Sequence, residues 1–155
     1  MHKLKLYLDT SIFNFAFSES TPEEMSLTRK FFENIDRFEV GISNIVLEEV
    51  GRCPMPKRAQ LMELINRYDL DVLEFDHESK KLADRYIKEG MIPVKYEDDA
   101  FHIAIATVNN INAILSWNFE HIVKVKTKRE VVGINLIMGY RPLDIYTPRE
   151  VVDYV

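Results

Sequence analysis

Acidic residues stand at the ends of apolar segments in four separate stretches of the chain. Asp9 follows LKLYL, Glu48 and Glu49 come shortly after EVGIS, Glu97, Asp98 and Asp99 open the apolar run AFHIAIATVN, and Asn118 and Glu120 follow NAILS. If those segments are strands of one parallel sheet, residues just past their carboxyl ends face a common crevice, which is where such sheets bind ligands. Carboxylates brought together repel one another unless a cation joins them, and Mg²⁺ or Mn²⁺ prefers this hard oxygen donor set. An ion of that kind activates water and offsets the charge that develops on a phosphodiester, so the chemistry suggested is hydrolysis of phosphate esters. Each position alone also has a plainer reading. Asp9 suits a turn, the Glu97-Asp98-Asp99 run suits a helix start, and one of Glu48 and Glu49 should be merely solvated.

Other chemistries fail on their residues. The five glycines, Gly41, Gly51, Gly90, Gly133 and Gly139, form neither G-x-G nor a P-loop. Cys53 is the only cysteine and lies beside Pro54, so no disulfide framework or Cys-rich zinc cluster is available, and a reducing cytoplasm is the expected setting. His2, His77, His102 and His121 are scattered without zinc-ligand spacing. A phosphoaspartyl hydrolase would need Asp-x-Asp after the first strand, and Ser11 occupies the second acid's place.

The elements that must position the acids can be read from patterning. Strands are expected at 4–8, 39–43, 71–75, 112–116 and 143–146. Thr21-Pro22-Glu23-Glu24 has the form of a capping box opening a helix to about Phe38. Further helices are expected over 44–52, over 57–68 after the Pro54 and Pro56 break, over 78–89 before Gly90, and over 97–109 as a mostly buried element. A second capping box, Thr127 to Glu130, predicts a helix to Met138, and Thr147-Pro148 begins a terminal turn. Strands alternating with helices imply an α/β fold of three layers, α/β/α, around a mostly parallel sheet of four to five strands. No repeat or Ser/Gly linker divides residues 1–155, so one domain is expected.

The chain has 155 residues, 46% hydrophobic and 29% charged, enough to remove roughly 70% of its unfolded surface from water without staples. Lys and Arg number 20 against 25 acids, and the net charge of −5 excludes broad, non-specific coating of nucleic acid. Asp9 interrupts the early apolar stretch, which argues against a signal peptide, and no apolar run approaches the roughly 20 residues of a membrane span. A cytoplasmic protein with no membrane partner is the expectation.

Taken in order, YLDTSIF, ISNIVLEEV, DDAFHIAIA and LSWNFEHI, with IYTPREVV near the end, resemble the sequence blocks of the PIN-domain nucleases, above all the toxin-type (VapC-like) ribonucleases. The resemblance runs through nearly the whole chain. It implies a PIN-like fold in which Asp9, Glu49 and Asp99 are metal ligands, Glu49 being selected over Glu48 by its spacing from Ser43. Asn118 stands where many members of the family have aspartate. It can coordinate through its carbonyl or hold a metal-bound water but adds no charge, so one metal site is better supported than two. Asp98 could assist, and Glu120 could supply the missing charge. Thr10, Ser11 and Ser116 carry hydroxyls suited to orienting a ligand or its water, or equally to bonding nearby backbone. Trp117 is read as core in preference to a base-stacking residue.

Lys124, Lys126, Lys128 and Arg129 form a short basic stretch after the fourth block, a candidate lip for the flanking phosphates of RNA, and Arg52, Lys57 and Arg58 make a second group. By resemblance the activity is a Mg²⁺- or Mn²⁺-dependent endoribonuclease leaving 5′-phosphate and 3′-hydroxyl ends. The resemblance further implies the toxin of a type II toxin–antitoxin pair, with RNA as substrate, a cognate antitoxin as partner and a homodimer as the assembly. The competing expectation is a non-catalytic RNA-binding or partner-binding module on the same fold.

Overall fold

A computed structural model describes residues 2–153. Five strands, β1 (Lys5–Leu8), β2 (Glu39–Ser43), β3 (Asp71–Leu73), β4 (Ala113–Leu115) and β5 (Asp144–Tyr146), form one sheet in the order β3-β2-β1-β4-β5. Every neighbouring pair is parallel. The three-layer α/β reading holds, with five strands. Because β1 is central and the chain departs from it first in one direction and then in the other, the carboxyl ends of β1, β2 and β4 lie side by side. Asp9, Ser43 and Ser116 stand at or just beyond those ends.

Side-chain alternation divides the core. Leu6, Leu8, Ala113 and Leu115 belong to one apolar cluster, while Tyr7 and Ile114 belong to the other. The first layer is covered by α1 (Thr10–Phe15), α2 (Pro22–Glu33), α4 (Lys57–Arg67) and α8 (Pro148–Val151), which contribute Phe13, Phe31, Leu61 and Val151. The second is covered by α5 (His77–Lys88), α6 (Glu97–Val108) and α7 (Val125–Ile137). Between them α3 (Asn44–Gly51) sends Val46 and Val50 to the first cluster and Ile45 to the second. In α6 every residue from Ala100 to Thr107 is buried, as its continuous apolar composition requires.

Four local expectations are corrected. A helix, α1, begins directly after Asp9, where only a turn was expected. The helix expected to reach Phe38 stops at Glu33 and is followed by a 3-10 turn over Ile35–Arg37. Neither capping box forms. Thr21 donates its hydroxyl to Ser18 Oγ at 2.7 Å, and Thr127 lies inside α7, buried and donating to the His121 carbonyl at 2.7 Å. In both cases a nearby oxygen outcompetes the helix N–H groups for the threonine.

The reciprocal box belongs instead to Asp76 and Ser79 at the start of α5. Ser79 N–H donates to Asp76 Oδ1 and Asp76 N–H donates to Ser79 Oγ, both at 2.9 Å. Asp76→Ala is expected to cost about 1 kcal/mol of stability, read as a lower urea midpoint at unchanged m value. An unchanged midpoint would show that the cap contributes nothing.

Candidate active site

Asp9 is the N-cap of α1 and almost fully buried, at 3% exposure. Its Oδ1 accepts from the backbone N–H of Ser11 at 3.1 Å and from the Ser11 hydroxyl at 2.5 Å, while Oδ2 accepts from the Ser116 hydroxyl at 2.5 Å. Ser11 Oγ in turn accepts from Trp117 N–H and Ser116 Oγ from Asn118 N–H. The two serines thus brace Asp9 between the ends of β1 and β4. Burial pushes the Asp9 carboxyl up from 3.8 to about 6, nearby Asp99 adds to the rise, and His102 and the two serine hydroxyls oppose it.

Glu49 projects from α3 toward Thr10 and His102, whereas Glu48 is exposed. Thr10 Oγ1 donates to Glu49 Oε1 at 2.8 Å and His102 Nε2 meets the same oxygen at 2.6 Å. Oε2 is engaged by neither. On the far side of the imidazole, His102 Nδ1 lies 2.6 Å from the Tyr7 hydroxyl, which lies 2.7 Å from Ser43 Oγ. Ser43 Oγ also accepts from Ile45 N–H. The chain is fully satisfied when Ser43 donates to Tyr7, Tyr7 to Nδ1 and Nε2–H to Glu49. Burial opposes a charge on either partner, but their mutual attraction wins, holding Glu49 below its ordinary value and His102 above its own.

Asp99, at the start of α6, is raised by burial, a rise opposed by His102 and His121 and by hydrogen bonding from Asn118 and His121. His121 Nδ1 lies 3.0 Å from Asp99 Oδ2, and its ring packs on that of Tyr96 with centroids 4.2 Å apart. Asn118 shapes the loop that carries this imidazole, its Oδ1 accepting from His121 N–H at 2.9 Å.

The structure therefore brings Asp9, Thr10, Ser11, Glu49, Asp99, Ser116 and Asn118 to one edge of the sheet. Asp98 is turned aside to Arg52, at 3.0 Å. Glu120 is 76% exposed and 3.7 Å from His121 Nε2, so the imidazole stands between it and Asp99. Lys126 donates to the Gly90 carbonyl at 3.0 Å and lies 3.6 Å from Glu130, while Lys124 is the N-cap residue of α7. Trp117 is buried, its indole N–H donating to Thr28 Oγ1 at 2.7 Å, in keeping with its reading as core.

Sequence reasoning missed His102 and His121 as members of this site, having looked only for zinc-ligand spacing. The available signal was helical. His102 lies three residues after Asp99, hence on the same face of α6.

The family model of the PIN domain matches residues 6–123, a span that contains all seven converging side chains together with His102 and His121. The chain belongs to the PIN domain family. None of the curated proteins compared with it matches. Among solved structures, a chain of DNA-bound VapBC from Salmonella typhimurium superposes with a TM-score of 0.57 at 20% identity, covering 94% of this chain and 98% of that one. VapBC-5 from Mycobacterium tuberculosis, of the VapBC family of toxin–antitoxin systems, gives 0.53 at 15% identity over 92% and 98%. VapBC2 from Rickettsia felis, bound to a promoter DNA fragment, gives 0.51 at 17% identity over 93% and 98%. At these identities the likeness is one of fold, shared over almost the entire chain.

Whether the site fits a divalent ion turns on its donors. Among the described residues, no three His, Cys, Asp or Glu side chains gather into a ready-made metal cluster. Mg²⁺ commonly takes one or two carboxylates and keeps several waters, so it does not need such a cluster. Asp9, buried, and Asp99, partly buried, meet that requirement as oxygen donors, each pushed up by burial, with Asp99 further raising Asp9. A divalent cation would relieve that repulsion. No helix of the described residues is long and apolar enough to cross a membrane.

Proposed function

We propose that this PIN domain is a Mg²⁺- or Mn²⁺-dependent ribonuclease that hydrolyses RNA phosphodiester bonds, acting as the toxin of a toxin–antitoxin pair. The observation that carries the reading is the gathering of Asp9, Glu49 and Asp99 at the carboxyl edge of a parallel sheet, where burial raises both aspartates and Asp99 adds to the rise at Asp9. Such an arrangement is costly in a site without a cation and useful in one with it.

In this reading Asp9 and Asp99 hold the ion directly. Glu49, whose Oε1 is engaged by Thr10 and His102, would join them in holding the ion through Oε2. Such an ion, when bound, would supply an activated water and offset charge on the phosphate. Ser11 and Ser116 keep both Asp9 oxygens oriented, and Asn118 holds the loop from which His121 reaches Asp99. Family membership and the VapBC neighbours support the nuclease class and an antitoxin partner. The homodimer and the cytoplasmic setting belong to the same proposal.

The test is cleavage of a labelled RNA in Mg²⁺, Mn²⁺ and EDTA by wild type and Asp99→Asn. Cleavage with either metal, its loss in EDTA and a fall of about 100-fold or more in the variant are expected. Equal rates in wild type and variant would remove the proposed site. The uncharged Asn118 favours a second reading, a non-catalytic RNA- or partner-binding module. That reading requires RNA binding indifferent to EDTA and no cleavage at all.

A further inference from the structure

A cavity of about 400 Å³ opens in front of the acids, with Glu49, Asp98 and Asp99 on its lining together with Arg52, Lys95 and Tyr96. Glu97 also lines it, so two cations, Arg52 and Lys95, stand among four acids. Two helices supply the key residues in matched pairs. The end of α3 carries Glu49 and, one turn later, its C-cap residue Arg52, while the start of α6 carries Asp99 and its neighbour Asp98. Arg52 Nη2 reaches across to Asp98 Oδ2 at 3.0 Å, with the two side chains 65% and 36% exposed. An ion pair so open to water contributes little to stability and is readily exchanged. A guanidinium fork binds phosphate oxygens as well as it binds a carboxylate.

We propose that Arg52 grips the RNA phosphate beside the scissile bond, and that Asp98 stands in for that phosphate until RNA arrives. The proposal rests on the nuclease reading of this site. It gives Asp98 a role opposite to that of a metal ligand, since removing its charge frees Arg52 for substrate. It also moves the substrate-binding cation away from Lys126, which is occupied by the Gly90 carbonyl.

The two residues must shift RNA affinity in opposite directions. Binding of a labelled single-stranded oligoribonucleotide is measured by fluorescence anisotropy in EDTA, so that cleavage does not interfere, with the full chain and its Arg52→Ala, Asp98→Asn and Lys80→Ala variants. Lys80 serves as the control because it forms a comparably exposed pair with Asp84, at 2.6 Å, and its loss changes the net charge equally. Arg52→Ala is expected to weaken binding roughly tenfold and to lower the slope of log K against log salt by about 0.7. Asp98→Asn is expected to tighten binding several-fold, and Lys80→Ala to leave it within about twofold. In cleavage assays the same changes appear in KM, with kcat little altered.

Weaker binding by Asp98→Asn, or an Arg52→Ala effect no larger than that of Lys80→Ala, would overturn the proposal. Opposite shifts in affinity from a protein that cleaves nothing would support Arg52's grip while sinking the nuclease reading. Cleavage that depends on Asp9 without the opposite shifts would do the reverse.

Discussion

Asparagine in place of Asp9 is expected to abolish metal-dependent RNA cleavage and, in the same molecule, to raise the stability of the metal-free protein. Burial lifts the Asp9 carboxyl from 3.8 to about 6. Between those values the folded chain holds a proton that the unfolded chain has released, so stability falls as pH rises through that window and stays low above it. A rise of that size corresponds to about 3 kcal/mol, an order-of-magnitude figure for a group this buried. The substituted amide would carry no charge at any pH and can still accept the Ser11 N–H that starts α1. The stability of Asp9→Asn should therefore lack the fall that Asp9 imposes on wild type between about pH 4 and pH 6, and exceed wild type at neutral pH by up to about 3 kcal/mol, several degrees in Tm. Mg²⁺ should raise the Tm of wild type and leave that of Asp9→Asn nearly unchanged. Thermal melts across pH, with and without Mg²⁺, check both halves. A variant less stable than wild type at pH 7, or stabilised equally by Mg²⁺, would contradict the role given to Asp9.

The second large effect concerns His102. Its side chain is 2% exposed and joins Tyr7 to Glu49 through bonds of 2.6 Å on either side. His102→Ala deprives both of their partner and leaves a buried gap, with an expected loss of about 3 kcal/mol, whereas Tyr7→Phe removes one hydroxyl and should cost about 1 kcal/mol. The ionic part of the His102–Glu49 contact has its own pH signature. The depressed Glu49 contributes fully above its unfolded value and fails as pH falls through its lowered one. The raised His102 contributes fully below its unfolded value and fails as pH rises through its raised one. The pair is therefore most stabilising between about pH 4.5 and 6.5. Since Nε2–H donates to Glu49 in either protonation state, the hydrogen bond itself persists above that range. Urea denaturation of wild type, His102→Ala, His102→Gln and Tyr7→Phe is expected to rank them wild type, Tyr7→Phe, His102→Gln, His102→Ala. An alanine variant as stable as wild type would show that the relay carries nothing.

Much of the architecture was visible in local pattern. The alternation in LKLYL, the continuous apolar run after Asp99 and the break at Pro54 and Pro56 each pointed to the element that forms. The misses have one physical origin. TSIFNF is short and rich in β-branched and aromatic residues, so nothing in its propensity suggests α1; burial of Ile12 and Phe13, with Asp9 capping the turn, makes it helical. Thr21 and Thr127 have the composition of caps but use their hydroxyls elsewhere, because an oxygen outside the cap pattern lies closer in space.

The acids themselves followed the same division. That acids from these four stretches would meet was inferable from their places at the ends of apolar segments, since strand order brings those ends together, whereas the choice of Glu49 and Asp99 among their neighbours came from the family resemblance. Which partner each would take was not inferable. Nothing in DDAFHIAIA separates Asp98, which crosses to Arg52, from Asp99, which faces His121, and nothing marks His102 as Glu49's partner.

Residue type and periodicity were enough to indicate the α/β class, the parallel sheet and the edge at which carboxylates would gather, because apolar patterning marks the buried face of each element and alternating strands and helices restrict how such elements pair. The raised carboxyl of Asp9, the Ser43–Tyr7–His102–Glu49 relay and the Arg52–Asp98 pair were decided only in three dimensions. Burial and the approach of charges from different helices are properties of the packed chain, and no spacing along the sequence encodes them.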